Sequence, residues 1–137
     1  MTINSRAKGA GAELEFSNIV YQWAGIRLIR NLEQSRSGGH DLIVHSDETG
    51  QVADSFRSLA IECKRYGTVT PGLIKVWWQQ AREQAEHNRL QPILAYRADR
   101  HDWQVIAALA FNKRHHEQKF RLGFDLHNVS DWLLQRD

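Results

Sequence analysis

Hydrophobic spacing along this chain switches period several times, and the order of the switches leaves few folds open. From Lys8 to Ala24, apolar residues recur three and four apart (Ala12, Phe16, Ile19, Val20, Trp23), the spacing that lines one face of an α-helix. Gly25 stands where helices commonly end on a left-handed residue. Arg27 to Leu32 reads as a strand, with Ile26, Leu28 and Arg30 on one face. Glu33 to His40 is polar and carries Gly38-Gly39, a loop signal. Asp41 to His45 is a short apolar strand and Asp47 to Gly50 a turn, which predicts a hairpin returning through Phe56 to Lys64. After a loop from Tyr66, a second helix is expected from Pro71 to about Asn88, with Ile74, Trp77, Trp78, Ala81 and Ala85 inward. Gln91 to Arg97 and Trp103 to Leu109 read as two strands joined by a turn over Ala98 to Asp102. Residues 110–137 are expected to form helical pieces, a short helix near Phe111 to Gln118 and a final turn at Trp132 to Leu134 capped by Ser130-Asp131. Helix, three strands, helix, two strands predicts an α/β domain, a mixed central β-sheet flanked by helices.

The length of 137 residues suits one domain spanning the chain, with residues 1–6 loose. No apolar run approaches the roughly 18 residues that span a bilayer, and Met1 to Gly11 lacks a signal-peptide core, so no membrane partner is expected. The single cysteine, Cys63, excludes an internal disulfide, suits a reducing cytoplasm and argues against a finger-type zinc site. Net charge is only +2, yet 13 of the 18 cationic residues are arginine, whose planar fork suits phosphate.

The segment Leu59-Ala60-Ile61-Glu62-Cys63-Lys64 carries the chemistry. In a strand, Leu59, Ile61 and Cys63 point one way and Ala60, Glu62 and Lys64 the other. A carboxylate and an ammonium two apart on one face can serve a single site; as an exposed ion pair they would contribute at most about 1 kcal/mol. Asp41 opens an apolar strand directly after a Gly-Gly loop, where it serves either as a turn cap or as a second carboxylate for a hard-oxygen site of the kind Mg²⁺ or Mn²⁺ prefers. At 100° per residue Glu13 falls about 60° from Phe16 and about 20° from Val20, on the inward stripe of its helix. A carboxylate there needs a partner: a metal, its water or Lys64. Glu15 points roughly the opposite way and is expected in solvent.

These residues carry a resemblance. Arg6-Ala7-Lys8-Gly9-Ala10-Gly11-Ala12-Glu13, then Arg36-Ser37-Gly38-Gly39-His40-Asp41-Leu42-Ile43, then Ile61-Glu62-Cys63-Lys64, resemble the PD-(D/E)xK nuclease superfamily. Within it the chain is most similar to archaeal-type Holliday junction resolvases and related phage endonucleases. His40 takes the place of the proline in the superfamily's name, and the interval from Asp41 to Glu62 is stretched. The resemblance implies a restriction-endonuclease-like core and a cytoplasmic, bacterial or phage-encoded enzyme that hydrolyses DNA phosphodiesters. It further implies Mg²⁺, with Mn²⁺ able to substitute, branched or junction DNA as substrate, and a homodimer. Asp41 and Glu62 would bind the metal, with the Cys63 backbone carbonyl as a further ligand and Glu13 in its outer shell. Lys64 would orient the attacking water and offset transition-state charge.

Further candidates for DNA contact are Lys8, Arg36 and Ser37 around the first two motifs, and Arg65 and Tyr66 just past Lys64. On the second helix Lys75 and Arg82 share one flank, and Gln80 and Gln84 another beside Trp77, with helical geometry leaving the choice between the two glutamines open. Trp77, Trp78 and Trp103 are expected in the core, and His115-His116 at the surface. A less selective nuclease acting on ends, flaps or single strands is one rival reading; a catalytically silent DNA-binding module is the other.

Overall fold

The computed structural model describes residues 5–32, 40–107 and 125–128. Helix α1 (Ser5–Ala24) begins earlier than its apolar spacing suggests. It stops at Gly25, whose φ of +70° lies in the left-handed region that glycine adopts at little cost, with the Gly25 N–H donating to the Tyr21 carbonyl at 3.0 Å. Ala12, Phe16 and Val20 are buried. Trp23, expected on the same stripe, is 62% exposed, although Ala24 beside it still packs against the core.

Strands β1 (Leu28–Arg30) and β2 (Leu42–Val44) pair antiparallel, Leu28 opposite Val44 and Arg30 opposite Leu42. Strand β2 pairs antiparallel with the next strand, Leu42 opposite Ile61, as the expected hairpin requires, but the connection is more than a turn. Residues from Gln51 to Arg57 make a short helix, α2, and β3 (Leu59–Tyr66) starts only after it. Val52, Ala53 and Phe56 have helical spacing, and burying Ala53 and Phe56 in the core outweighs the extended option for so short a segment. The Arg57 guanidinium holds α2 onto the preceding turn by donating to the carbonyls of His45 and Glu48.

Helix α3 (Pro71–His87) is capped by the Thr70 hydroxyl, which accepts the Leu73 N–H at 3.2 Å, with Pro71 in the first turn where its missing N–H costs nothing. It returns the chain so that β4 (Gln91–Ala98) runs parallel to β3 in an eight-residue register from Leu59 opposite Gln91 to Tyr66 opposite Ala98. Strands β5 (Gln104–Ala107) and β6 (Asp125–Asn128) add antiparallel, giving a six-stranded mixed sheet in sequence order. Residues 125–128 thus form a strand where helical pieces were expected, too short a run for its alternation to stand out. The expected helix at Phe111 to Gln118, the Ser130-Asp131 cap and the glycine loop of residues 33–39 lie outside the described residues.

Each face of the sheet has its own core. Phe16, Phe56, Leu59, Ile61, Cys63 and Trp103 belong to the cluster under α1 and α2. Trp77, Trp78 and Ala81 of α3 close on Leu94, Tyr96 and Ile106 on the other face. Trp77, Trp78 and Trp103 are all core residues, as expected. Among the described residues no helix is long and apolar enough to cross a membrane.

Candidate active site

Strand β3 lies between β2 and β4, and its alternation decides what each side chain meets. Leu59, Ile61 and Cys63 enter the core under α1. Glu62 and Lys64 point to the opposite face, in register with Leu94 and Tyr96 of the parallel neighbour. Glu62 is 4% exposed, a carboxylate nearly sealed from water.

Asp41 is attached to β3 twice. Its N–H donates to the Ile61 carbonyl at 2.9 Å, and its carboxylate Oδ2 accepts the Cys63 N–H at 2.7 Å. The carboxylate takes the backbone donor that a longer β2 would have paired, so it stands beside Glu62. Asn31, just past β1, braces this corner by donating its backbone N–H to the Asp41 carbonyl at 2.8 Å and its side-chain amide to the His40 carbonyl at 3.0 Å. Burial of His40 pulls its imidazole below the usual histidine range, towards the neutral form.

Glu13 is buried on α1, as its helical position predicts, and the side chain that meets it is Arg30 rather than Lys64. Arg30 reaches back from β1 and donates Nε–H to Glu13 Oε2 at 2.6 Å. Burial raises the Glu13 carboxyl above the ordinary range and the nearby Asp41 charge raises it further, while Arg30 opposes both. The effect is larger at Glu62, which burial, then Asp41 and Glu13, push up to about 8 against the pull of Lys64. Burial, then the charges of Asp41, Glu13 and Glu62, drive the Cys63 thiol well above its usual value, so it stays protonated and does not act as a nucleophile. Three acidic side chains, from a helix, the start of β2 and the middle of β3, therefore sense one another with too little positive charge to balance them.

That imbalance fits a divalent cation. Glu62 Oε1 is buried and has no hydrogen-bond partner, an arrangement costly for a carboxylate unless a cation completes it. Among the described residues no three His, Cys, Asp or Glu side chains stand close enough to hold an ion by themselves. The donor set available is the Asp41 and Glu62 pair, with the Cys63 carbonyl on the strand edge whose N–H Asp41 takes. Mg²⁺ suits such a set, since it commonly keeps several waters and binds through one or two carboxylates.

The remaining expected contacts divide. Tyr66 is 45% exposed, its ring tilted on Trp77 at 4.9 Å, and Lys75 and Gln80 are exposed. Arg82 is half-buried. Gln84 is half-buried with its Oε1 inside and without a hydrogen-bond partner, which separates it from Gln80 where helical phase could not. Arg65 is engaged within the fold, pairing with Glu15 and Asp99, both at 3.3 Å. The Lys8 side chain, and Arg36 and Ser37 altogether, lie outside the described residues.

Glu15 corrects the expectation of a solvated residue. Its carboxylate receives Arg97, Arg65 and the Trp103 indole N–H, the last at 2.9 Å. Arg30, Asn31 and Glu15 are the side chains that sequence reasoning missed. Arg30 alone had left a trace, an arginine in phase with Ile26 and Leu28 on the inward face of its strand.

Residues 4–131 match the protein family described as "Phage putative PDDEXK endonuclease". A comparison with curated proteins finds no match. Among solved structures, the chain is similar to Hjc of Archaeoglobus fulgidus, a Holliday junction resolvase from an archaeal hyperthermophile. The TM-score is 0.51 at 17% sequence identity, over 92% of this chain and 95% of that one. At that identity the likeness shows a shared fold, in agreement with the α/β core expected from the motifs.

Proposed function

This chain belongs to the phage PDDEXK endonuclease family, and from that premise we propose that it is a divalent-metal-dependent endodeoxyribonuclease acting on branched DNA. The observation that carries the reading is Glu62: a buried carboxylate with an unpartnered oxygen, beside Asp41 and two residues before Lys64 on the same strand face. Asp41 and Glu62, with the Cys63 carbonyl, would hold Mg²⁺, and Mn²⁺ would substitute. Bound there, the cation would stabilise charge on the phosphate oxygens and make water a better nucleophile.

The chain's own residues do the rest. Lys64 stands one strand step from Glu62, where its ammonium can orient the attacking water and offset the charge that builds on phosphorus oxygens during displacement. Glu13, steadied by Arg30, would stand in the outer shell of such a cation. Tyr66, Lys75 and Gln84 border the same face of the sheet and are the contacts we assign to the DNA. The choice of branched DNA is supported by the shared fold with a junction resolvase. A homodimer belongs to it as well, because cutting paired strands across a junction needs two sites.

A Mg²⁺-dependent nicking assay on a four-way junction, a flap and a linear duplex tests the reading. The wild type is expected to prefer the junction, and Lys64→Ala to lose about a thousandfold in cutting while keeping DNA binding. Equal cutting by both proteins would remove the mechanism, and equal cutting of all three DNAs would leave a less selective nuclease. Tight binding without cutting by the wild type would make the chain a silent DNA-binding module. A strict monomer by light scattering on the DNA-bound protein would exclude paired cutting.

A further inference from the structure

The network around Glu15 has no part in the chemistry described so far, yet it sits on the same helix as Glu13, two residues away. Relative to Phe16 at the centre of the buried stripe, Glu13 lies about 60° to one side and Glu15 about 100° to the other, at 100° per residue. The two carboxylates therefore straddle the contact between α1 and the sheet. On one flank Glu13 is held by Arg30 of β1 at 2.6 Å. On the other, Glu15 receives Arg65 of β3, Arg97 of β4 and the indole N–H of Trp103, which precedes β5. Arg65 also reaches Asp99, whose N–H donates to the Tyr66 carbonyl, so the ends of β3 and β4 are drawn into the same cluster.

We propose that Glu15 is a positioning residue: by anchoring one flank of α1 to β3, β4 and Trp103, it fixes the roll of the helix and so the place of Glu13 beside Asp41 and Glu62. The stripe of Ala12, Phe16 and Val20 supplies burial but little resistance to rotation, because apolar contacts are non-directional. Charge-assisted hydrogen bonds from two guanidinium forks and an indole supply the direction. A single anchor at Glu13 and Arg30 would leave the helix free to pivot about it; a second anchor on the opposite flank removes that freedom. The assignment rests on the reading of Glu13 as part of the nuclease site, and the test separates the two.

Glu15→Ala is expected to lower kcat for junction cutting about tenfold to a hundredfold, with KM and DNA affinity within about twofold, the pattern of a misplaced group far from the substrate. Glu15→Gln keeps the volume and an oxygen for the indole and recovers part of the loss, which also covers the case in which Glu15→Ala does not fold. In a Glu13→Gln background, Glu15→Ala adds less than about twofold, since there is no longer a carboxylate to misplace. An independent readout is the Nε–H resonance of Arg30 in ¹⁵N-correlated spectra, assigned by its loss in Arg30→Lys. Its protection from exchange drops in Glu15→Ala well below the melting temperature. A lower melting temperature with kcat and the Arg30 resonance unchanged would make Glu15 a merely stabilising residue and overturn the proposal, and a raised KM with intact kcat would do so too. Should the wild type cut no DNA, the nuclease reading fails while the Arg30 resonance still decides whether Glu15 positions Glu13.

Discussion

Glu13 and Glu15 sit two residues apart on one helix and have opposite surroundings. Glu15 is met by two arginines and an indole donor, a nearly complete set for one carboxylate. Glu13 has Arg30 but faces Asp41, and beyond it Glu62, whose buried oxygen has no partner at all. The Glu15 cluster is a closed structure. The Glu13 cluster is negatively charged, desolvated and unfinished, which costs stability in the free protein and is what a cation-binding site requires. The contrast teaches that in this fold a carboxylate's role is read from whether its neighbours balance it, more than from its burial.

The largest expected effect breaks the unfinished side. Glu62→Gln removes the central charge and is expected to lower cutting by about a thousandfold in steady-state assays. The same variant sharpens the comparison through stability. The Glu62 carboxyl is raised from 4.5 to about 8, so between those values the folded protein keeps a proton that the unfolded chain has lost. Metal-free stability is therefore present at low pH and falls as pH rises through that window. Denaturant melts at pH 5, 6.5 and 8 should show the decline, Mg²⁺ or Mn²⁺ should reverse it, and Glu62→Gln should flatten it. A metal-free protein that grows more stable over the same range would contradict the assignment.

Glu13→Gln comes next. It relieves a carboxyl raised by burial and by Asp41, so the metal-free protein should gain a little stability at pH 8 while cutting falls about tenfold to a hundredfold, as measured by melts and nicking rates on one preparation. The smallest effect lies on the balanced side. Trp103→Phe takes one donor from Glu15 but leaves both arginines and the ring packed on Phe16, 5.3 Å away. A loss of about 1 kcal/mol in chemical melts is expected, with cutting rates within about twofold.

Much of this arrangement is legible in the sequence alone. The inward phase of Glu13 follows from three- and four-residue spacing, and the Glu62-Lys64 face from strand alternation, because both periodicities are local properties of the backbone. The α3 face and Gly25 as its helix's stop were equally readable. The short helix α2 was not, since seven residues of mixed character satisfy either a strand or a helix until Ala53 and Phe56 find a core to fill. Arg30 and Asn31 escaped for a related reason: their partners, Glu13, His40 and Asp41, are distant in sequence.

What the sequence determined by itself is therefore the longer elements and the faces on which Glu13, Glu62 and Lys64 stand, both governed by short-range geometry. Only the tertiary structure decided which charges are balanced. It gave Glu15 three donors and left Glu62 with none at one oxygen, because electrostatic balance depends on segments that fold together from distant parts of the chain, and no local pattern records that meeting.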